Sequence, residues 1–273
     1  MALTTLDGVI DGFDANSNAG ASRMFFKALS GTLVAGRPHS YWGFAGIPGA
    51  GAFDTTLNGV TLTSPVNGQI PYTDAASGNK HLARFVGSAT QISTLVIADR
   101  IWHNGGYTIT STSAQNSTTP TWTARDVAGS TNGDGIICGM EISATTGAGT
   151  PTITMAYTNQ AGTASRSATN VIATVASSIA GTFYPIGLQA GDTGVRSVQS
   201  ITLSATWTSG TMNLVAYRPL ASISVATAQA GEAVDILTSG MPKLYNGTVP
   251  YIFIIPSATT TSTIRGMVTY TEG

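Results

Sequence analysis

Three histidines, one cysteine and 13 acidic residues are among the groups in this 273-residue sequence with the chemistry for proton transfer, nucleophilic attack or metal binding. His39, His81 and His103 are far apart. None stands at the short spacing that brings two imidazoles to one metal or one imidazole to a hydroxyl nucleophile. There is no Gly-x-Ser-x-Gly elbow and no Gly-x-x-x-x-Gly-Lys-Ser/Thr phosphate loop. Gly46-Ile-Pro-Gly-Ala-Gly51 is glycine-rich, but it holds a proline and follows no good strand, so it reads as a loop. A glycosidase needs two carboxylates about 5–10 Å apart in a cleft; Asp126, Asp134 and Glu141 could approach each other, but nothing in their spacing requires it. Asn132-Gly-Asp134 offers oxygen ligands without the rest of a calcium loop, so a tight turn is expected. Cys138, inside the apolar run 136–140, reads as a small core residue. The expectation is a protein with no enzymatic activity, no cofactor and no metal site.

The aromatic stretch Tyr41-Trp42-Gly-Phe44 is the other candidate. Aromatic rings stack on sugar faces, so this loop is a potential glycan platform. Burial in a core or a subunit contact is the favoured alternative. Asn116-Ser-Thr118 and Asn246-Gly-Thr248 match the glycosylation pattern, but no secretory signal precedes them and both are read as idle.

The elements that would position these residues are strands. Ile153, Met155 and Tyr157 alternate with Thr152, Thr154, Ala156 and Thr158, and Ile201, Leu203, Ala205 and Trp207 alternate with Ser200, Thr202, Ser204 and Thr206. A period of two puts each set on opposite faces of a sheet. Further strands are predicted at 81–86, 94–102, 108–111, 136–144, 164–170, 182–188, 211–219, 251–255 and 263–271, with a slip in alternation near Val198-Gln199 that marks a β-bulge. Ser209-Gly210 reads as a hairpin turn. Many short strands separated by turns predict an all-β, jelly-roll-like antiparallel β-sandwich over residues 86–273.

Residues 1–85 read differently, as an N-terminal arm and a loop-rich docking region. Leu3, Leu6, Val9, Ile10 and Phe13 recur at helical spacing, weakened by Gly8 and Gly12. Arg23–Leu29 is a short apolar run with cationic ends. Leu6, Phe13, Phe25, Phe26, Tyr41 and Trp42 are the candidate subunit-contact anchors.

Composition narrows the function. Charged residues make up only 9% of the chain and the net charge is −1, against roughly 25% charged in an average soluble protein. Ser and Thr supply about a quarter of the residues. No basic field exists to attract nucleic acid. No apolar run is long enough to span a membrane, and the first residues lack the basic and apolar regions of a signal peptide. The lone cysteine excludes an internal disulfide framework. Synthesis in a cytoplasm is the default expectation.

Four segments carry a family likeness: Leu3-Thr-Thr-Leu-Asp-Gly8, Thr94-Leu-Val-Ile-Ala-Asp-Arg-Ile-Trp-His-Asn-Gly105, Thr158-Asn-Gln-Ala-Gly-Thr-Ala-Ser-Arg166 and Leu188-Gln-Ala-Gly-Asp-Thr-Gly-Val-Arg-Ser-Val-Gln-Ser200. In this order along most of the chain, they resemble virion structural proteins of tailed bacteriophages. The resemblance implies a place in the particle, assembled in the bacterial host, and transfers no catalytic residue. Within the particle two roles compete: a capsid decoration (cement) protein that binds the major capsid protein and copies of itself, commonly as a trimer, and a tail-fibre or receptor-binding subunit that recognises a host surface. A carbohydrate-binding β-sandwich protein is the further alternative. The absence of repeats and of a heptad stalk favours decoration.

Overall fold

The computed structural model describes residue 5, residues 22–240 and residues 242–273. The expected N-terminal helix, with Leu6 and Phe13, lies outside the described residues. Among those residues the chain forms β1 (Arg23–Ala28), β2 (His39–Ser40), β3 (Gly46–Ile47), β4 (Val60–Thr61), β5 (Lys80–Ala89), β6 (Ser93–Asn104), β7 (Gln115–Asn116), β8 (Ile137–Ala144), β9 (Ile153–Asn159) and β10 (Arg166–Thr169). β11 (Phe183–Pro185), β12 (Val195–Leu203), β13 (Thr211–Val225) and β14 (Glu232–Asp235) follow. A single-turn helix α1 (Ile236–Ser239), β15 (Lys243–Leu244), β16 (Pro250–Pro256) and β17 (Thr263–Glu272) complete the order. The protein is all-β and antiparallel, as the alternating runs predict.

The strands form three sheets. The central one runs β11-β8-β13-β6-β16-β2, with β4 also on β6. A bridge between His39 and Thr182, with Ser40 N–H bonded to the Gly181 carbonyl and Phe183 N–H to that of Pro38, brings its two edges together. This sheet therefore nearly closes into a barrel, which removes most of the unpaired edge that an open sheet would expose. One outer sheet runs β14-β5-β17-β1-β3, with β15 also on β5; the other runs β10-β9-β12-β7.

Period-two alternation explains how one barrel serves both outer sheets. Along β6, Leu95 and Ile97 point outward beneath the first outer sheet, where they meet Phe25, Leu82, Phe85 and Val268. Val96, Ala98 and Arg100 take the opposite face, the barrel interior. A register shift beside Ile101 then turns Ile101 and Trp102 outward under the second outer sheet, against Met155, Tyr157 and Ile201. β13 makes the same passage in reverse, with Met212 and Leu214 in the second interface and Ile223 and Val225 in the first. The interior is filled by Trp42, Phe183, Val215, Tyr217, Tyr251 and Phe253. Each such side chain contributes roughly 1.5–3 kcal/mol through burial.

Several sequence expectations need correction. The run 23–28, read as part of a docking arm, is strand β1 and pairs along its length with β17. The boundary placed at 85/86 falls inside β5, because residues from 22 onward supply strands and core to the same body. Residues 108–111 form a turn, not a strand. Ser209-Gly210 closes no hairpin, since β12 and β13 belong to different sheets. The bulge expected near Val198 is present, with a second between Val195 and Ser197.

Candidate functional site

The six candidate contact residues separate into three groups. Phe25, Tyr41 and Trp42 are buried in the chain's own core and are not surface anchors. Phe25 packs on Phe85, and Gly266 leaves room for it: a Cβ there would lie 2.5 Å from the Phe25 ring. Tyr41 donates its hydroxyl to the Ser262 carbonyl at 3.2 Å. Trp42 donates its indole N–H to the Ala52 carbonyl at 2.8 Å, and a Cβ on Gly51 would fall 2.3 Å from its ring. Phe26 alone among the described candidates is exposed, at 45%.

Phe26 does not stand alone. On the outer face of the first outer sheet, Phe26 lies opposite Ile47 on one side and Arg265 on the other. Met24 lies opposite Met267, and Met267 opposite Val86. Met24, Phe26, Ile47 and Met267 are all exposed. Together they make a contiguous apolar block on neighbouring strands, with one cation, Arg265, among them. Sequence alternation alone could have found Met24 and Phe26, because they flank the buried Phe25 at a spacing of two.

A second surface feature is an open cleft of about 730 Å³ beside the end of β6. Trp42, Leu62 and His103 form its floor; Phe53, Val60, Pro65 and Val66 supply apolar walls; Asp54 and Asn67 are polar. Trp42 and Leu62 belong to the cluster inside the barrel, so the cleft is the barrel's mouth. The ridge 65–67 separates it from a neighbouring groove of about 520 Å³ lined by Pro48, Gln69 and Tyr72.

Beneath the mouth sits a buried polar chain. Arg100 Nη1 pairs with Glu141 Oε2 at 2.6 Å, with both side chains fully buried. The Arg100 guanidinium lies 4.6 Å from the Trp42 ring centre and 5.4 Å from that of Tyr251. Its Nε and Nη2 approach His103 Nδ1 at 3.2 and 2.9 Å. Burial and the adjacent Arg100 charge push His103 down to about 2, so the ring is neutral. On the outer face of the barrel, Asp99 accepts from Val249 N–H at 2.8 Å and faces Arg125 at 3.5 Å. Arg125 in turn donates to the carbonyls of Leu62 and Gly247. Lys27 donates to the carbonyls of Tyr41, Phe44 and Gly49 at 3.0, 3.0 and 3.2 Å, stapling the aromatic loop to β1; burial lowers it to about 8. Sequence reasoning passed over these groups, although Asp99-Arg100 inside Leu95–Trp102 is a sign of buried, partnered charge.

The other candidates prove to be structural. The Asn132-Gly-Asp134 turn is organised by Asp126, whose carboxylate accepts from the N–H groups of Ala128, Ser130, Gly133 and Asp134. Asp134 accepts from the Thr193 hydroxyl, and Glu141 is held by Arg100, so the three acids share no cleft. Cys138 is fully buried and its thiol is pushed up by burial. Among the described residues, no group of three or more His, Cys, Asp or Glu side chains is placed to hold a metal ion. No described helix is long and apolar enough to cross a membrane. No protein-family model matches the chain, and comparison with curated proteins and with solved structures gives no match.

Proposed function

We propose that this chain is a non-enzymatic structural subunit of a tailed-phage virion, and that it decorates the head shell by binding the major capsid protein. The observation that carries the reading is the exposed apolar block of Met24, Phe26, Ile47 and Met267. Contiguous exposed apolar surface marks protein interaction sites, and here it is held rigid by three neighbouring strands, β17, β1 and β3. Many copies on a regular shell would turn a modest individual affinity into strong attachment. The low-charge Ser/Thr-rich surface and the sequence likeness of 158–166 and 188–200 to phage virion proteins support the same reading. So do the buried ionisable groups, which hold strands and loops together: Arg100 with Glu141, Arg125 with Asp99, and Lys27 on three carbonyls.

The test is co-sedimentation of purified protein with undecorated heads. The double variant Phe26→Asp, Met267→Asp keeps the core, because both side chains are exposed, and is expected to lose at least about tenfold in affinity, or about 1.4 kcal/mol. Binding equal to that of the unaltered chain would refute the assignment of this face. A truncation test must stop at residue 21, since removal of residues 1–30 takes away β1.

A further inference from the structure

We infer that the barrel mouth is a binding site for a neutral sugar unit of a glycan, a role separate from attachment through the apolar face. The size fits: ligand clefts run about 300–1,000 Å³ and recur at the mouths of β-barrels, and this one holds about 730 Å³. The wall chemistry fits as well. Sugars present apolar C–H faces and a rim of hydroxyls. Phe53, Val60, Pro65 and Val66 offer apolar surface, and Asp54, Asn67 and His103 offer hydrogen-bonding groups around it.

His103 is the most specific part. Arg100 donates to its Nδ1 through two nitrogens, so in the neutral ring the proton resides on Nε2. The side chain is 3% exposed and lines the cleft floor, and no described residue accepts from Nε2. The mouth thus contains a fixed, uncharged donor whose tautomer is set from behind. Asp54 is also fixed: its Oδ2 accepts from the N–H and hydroxyl of Thr56 at 2.7 and 2.8 Å, which leaves Oδ1 as an acceptor. Asn67 supplies both donor and acceptor from the exposed ridge.

Electrostatics selects the ligand class. Among the described residues the lining contains one charge, the negative Asp54. Arg100 is engaged behind the floor by Glu141 and His103, so no free cation among the described residues faces the cleft. An anionic ligand such as a phosphate or a uronic acid meets repulsion without compensation. A neutral polyhydroxyl ligand matches the donors and acceptors present.

The experiment is a glycan array probed with the full chain, followed by titration of the best binder with amide and indole N–H resonances observed. The expected result is binding of neutral glycans, with the Trp42 indole and Asn67 side-chain signals among those that move. Asn67→Ala should weaken binding several-fold. Val60→Trp, at an exposed position on the wall, should fill the cleft and abolish it while leaving the fold intact. No binding at millimolar sugar, binding confined to anionic glycans, or binding that both variants retain would each overturn the proposal. None of these outcomes bears on head binding through Phe26 and Met267.

Discussion

His39 and His103 give the protein a defined response to acid. Burial, assisted by Arg37, lowers His39 to about 4, and burial with Arg100 lowers His103 to about 2, from an ordinary value of 6.5. His39 Nε2 accepts from Val34 N–H and His103 Nδ1 from Arg100, so a proton on either nitrogen removes an acceptor and adds charge beside an arginine. Above about pH 6.5 both states of the chain hold neutral imidazole and stability is complete. As the pH falls below that, the unfolded chain takes up protons that the folded one refuses. Stability then declines toward pH 4 through His39, and further toward pH 2 through His103, by at most about 1.4 kcal/mol per pH unit for each. Asp192 acts lower. Bonds from Arg166 first, then Tyr157 and Asn159, hold its carboxyl at about 2, so its support is lost only as the pH falls from its ordinary 3.8 through 2. Urea midpoints measured at about pH 7.5 and pH 5 should therefore differ, with the lower at pH 5; equal midpoints would contradict the buried neutral state of His39 and His103.

At the scale of elements, loops here are fixed by single carboxylates. Burial alone would raise the Asp126 carboxyl, but the Ser130 hydroxyl and N–H and the neighbouring N–H groups outweigh it and hold it below its usual range. Asp126→Ala should cost about 1–3 kcal/mol through the donors it orphans, and should speed amide exchange in 126–135 ahead of the strands. Exchange unchanged in that loop would show that the carboxylate is dispensable. Asp192 does the equivalent for two turns, binding Arg166, Tyr157 and Asn159. Such clamps are hard to read from sequence, because an aspartate in a Gly/Ser/Thr loop looks the same whether it caps N–H groups or faces solvent. Strands were legible where one face is buried: Ile153, Met155 and Tyr157 alternate in burial as in type. β1 was obscured because Phe26 breaks the alternation on its exposed face, which is also what makes it a candidate contact.

At the scale of the whole molecule, alternation tells which residues face inward but not which sheet they face. Val215 and Leu214 are adjacent, apolar and fully buried, yet one fills the barrel and the other the interface with an outer sheet. Pairing depends on contacts distant in sequence, such as Phe253 with Ser40, and no local pattern encodes them. The three-sheet arrangement was therefore beyond a sequence reading that reached an all-β antiparallel sandwich. The mouth was half legible: the loop 41–53 was marked by its aromatics, but Trp42 proved to be the floor and not an exposed platform, and His103 is brought to it by the end of β6.

β6 and β13 each run through both outer interfaces, and this has a consequence for how the protein comes apart. Neither half can melt while the other survives, because unzipping β6 from β13 at one end withdraws the rigid backing from the other. At 273 residues, a chain with two outer interfaces is long enough to unfold in stages. The shared strands instead make it one cooperative unit. Tryptophan fluorescence, reporting Trp42, Trp102, Trp122 and Trp207, and far-ultraviolet circular dichroism should trace one coincident transition in denaturant. Two separated transitions would mean that the barrel's long strands do not couple the sheets they carry.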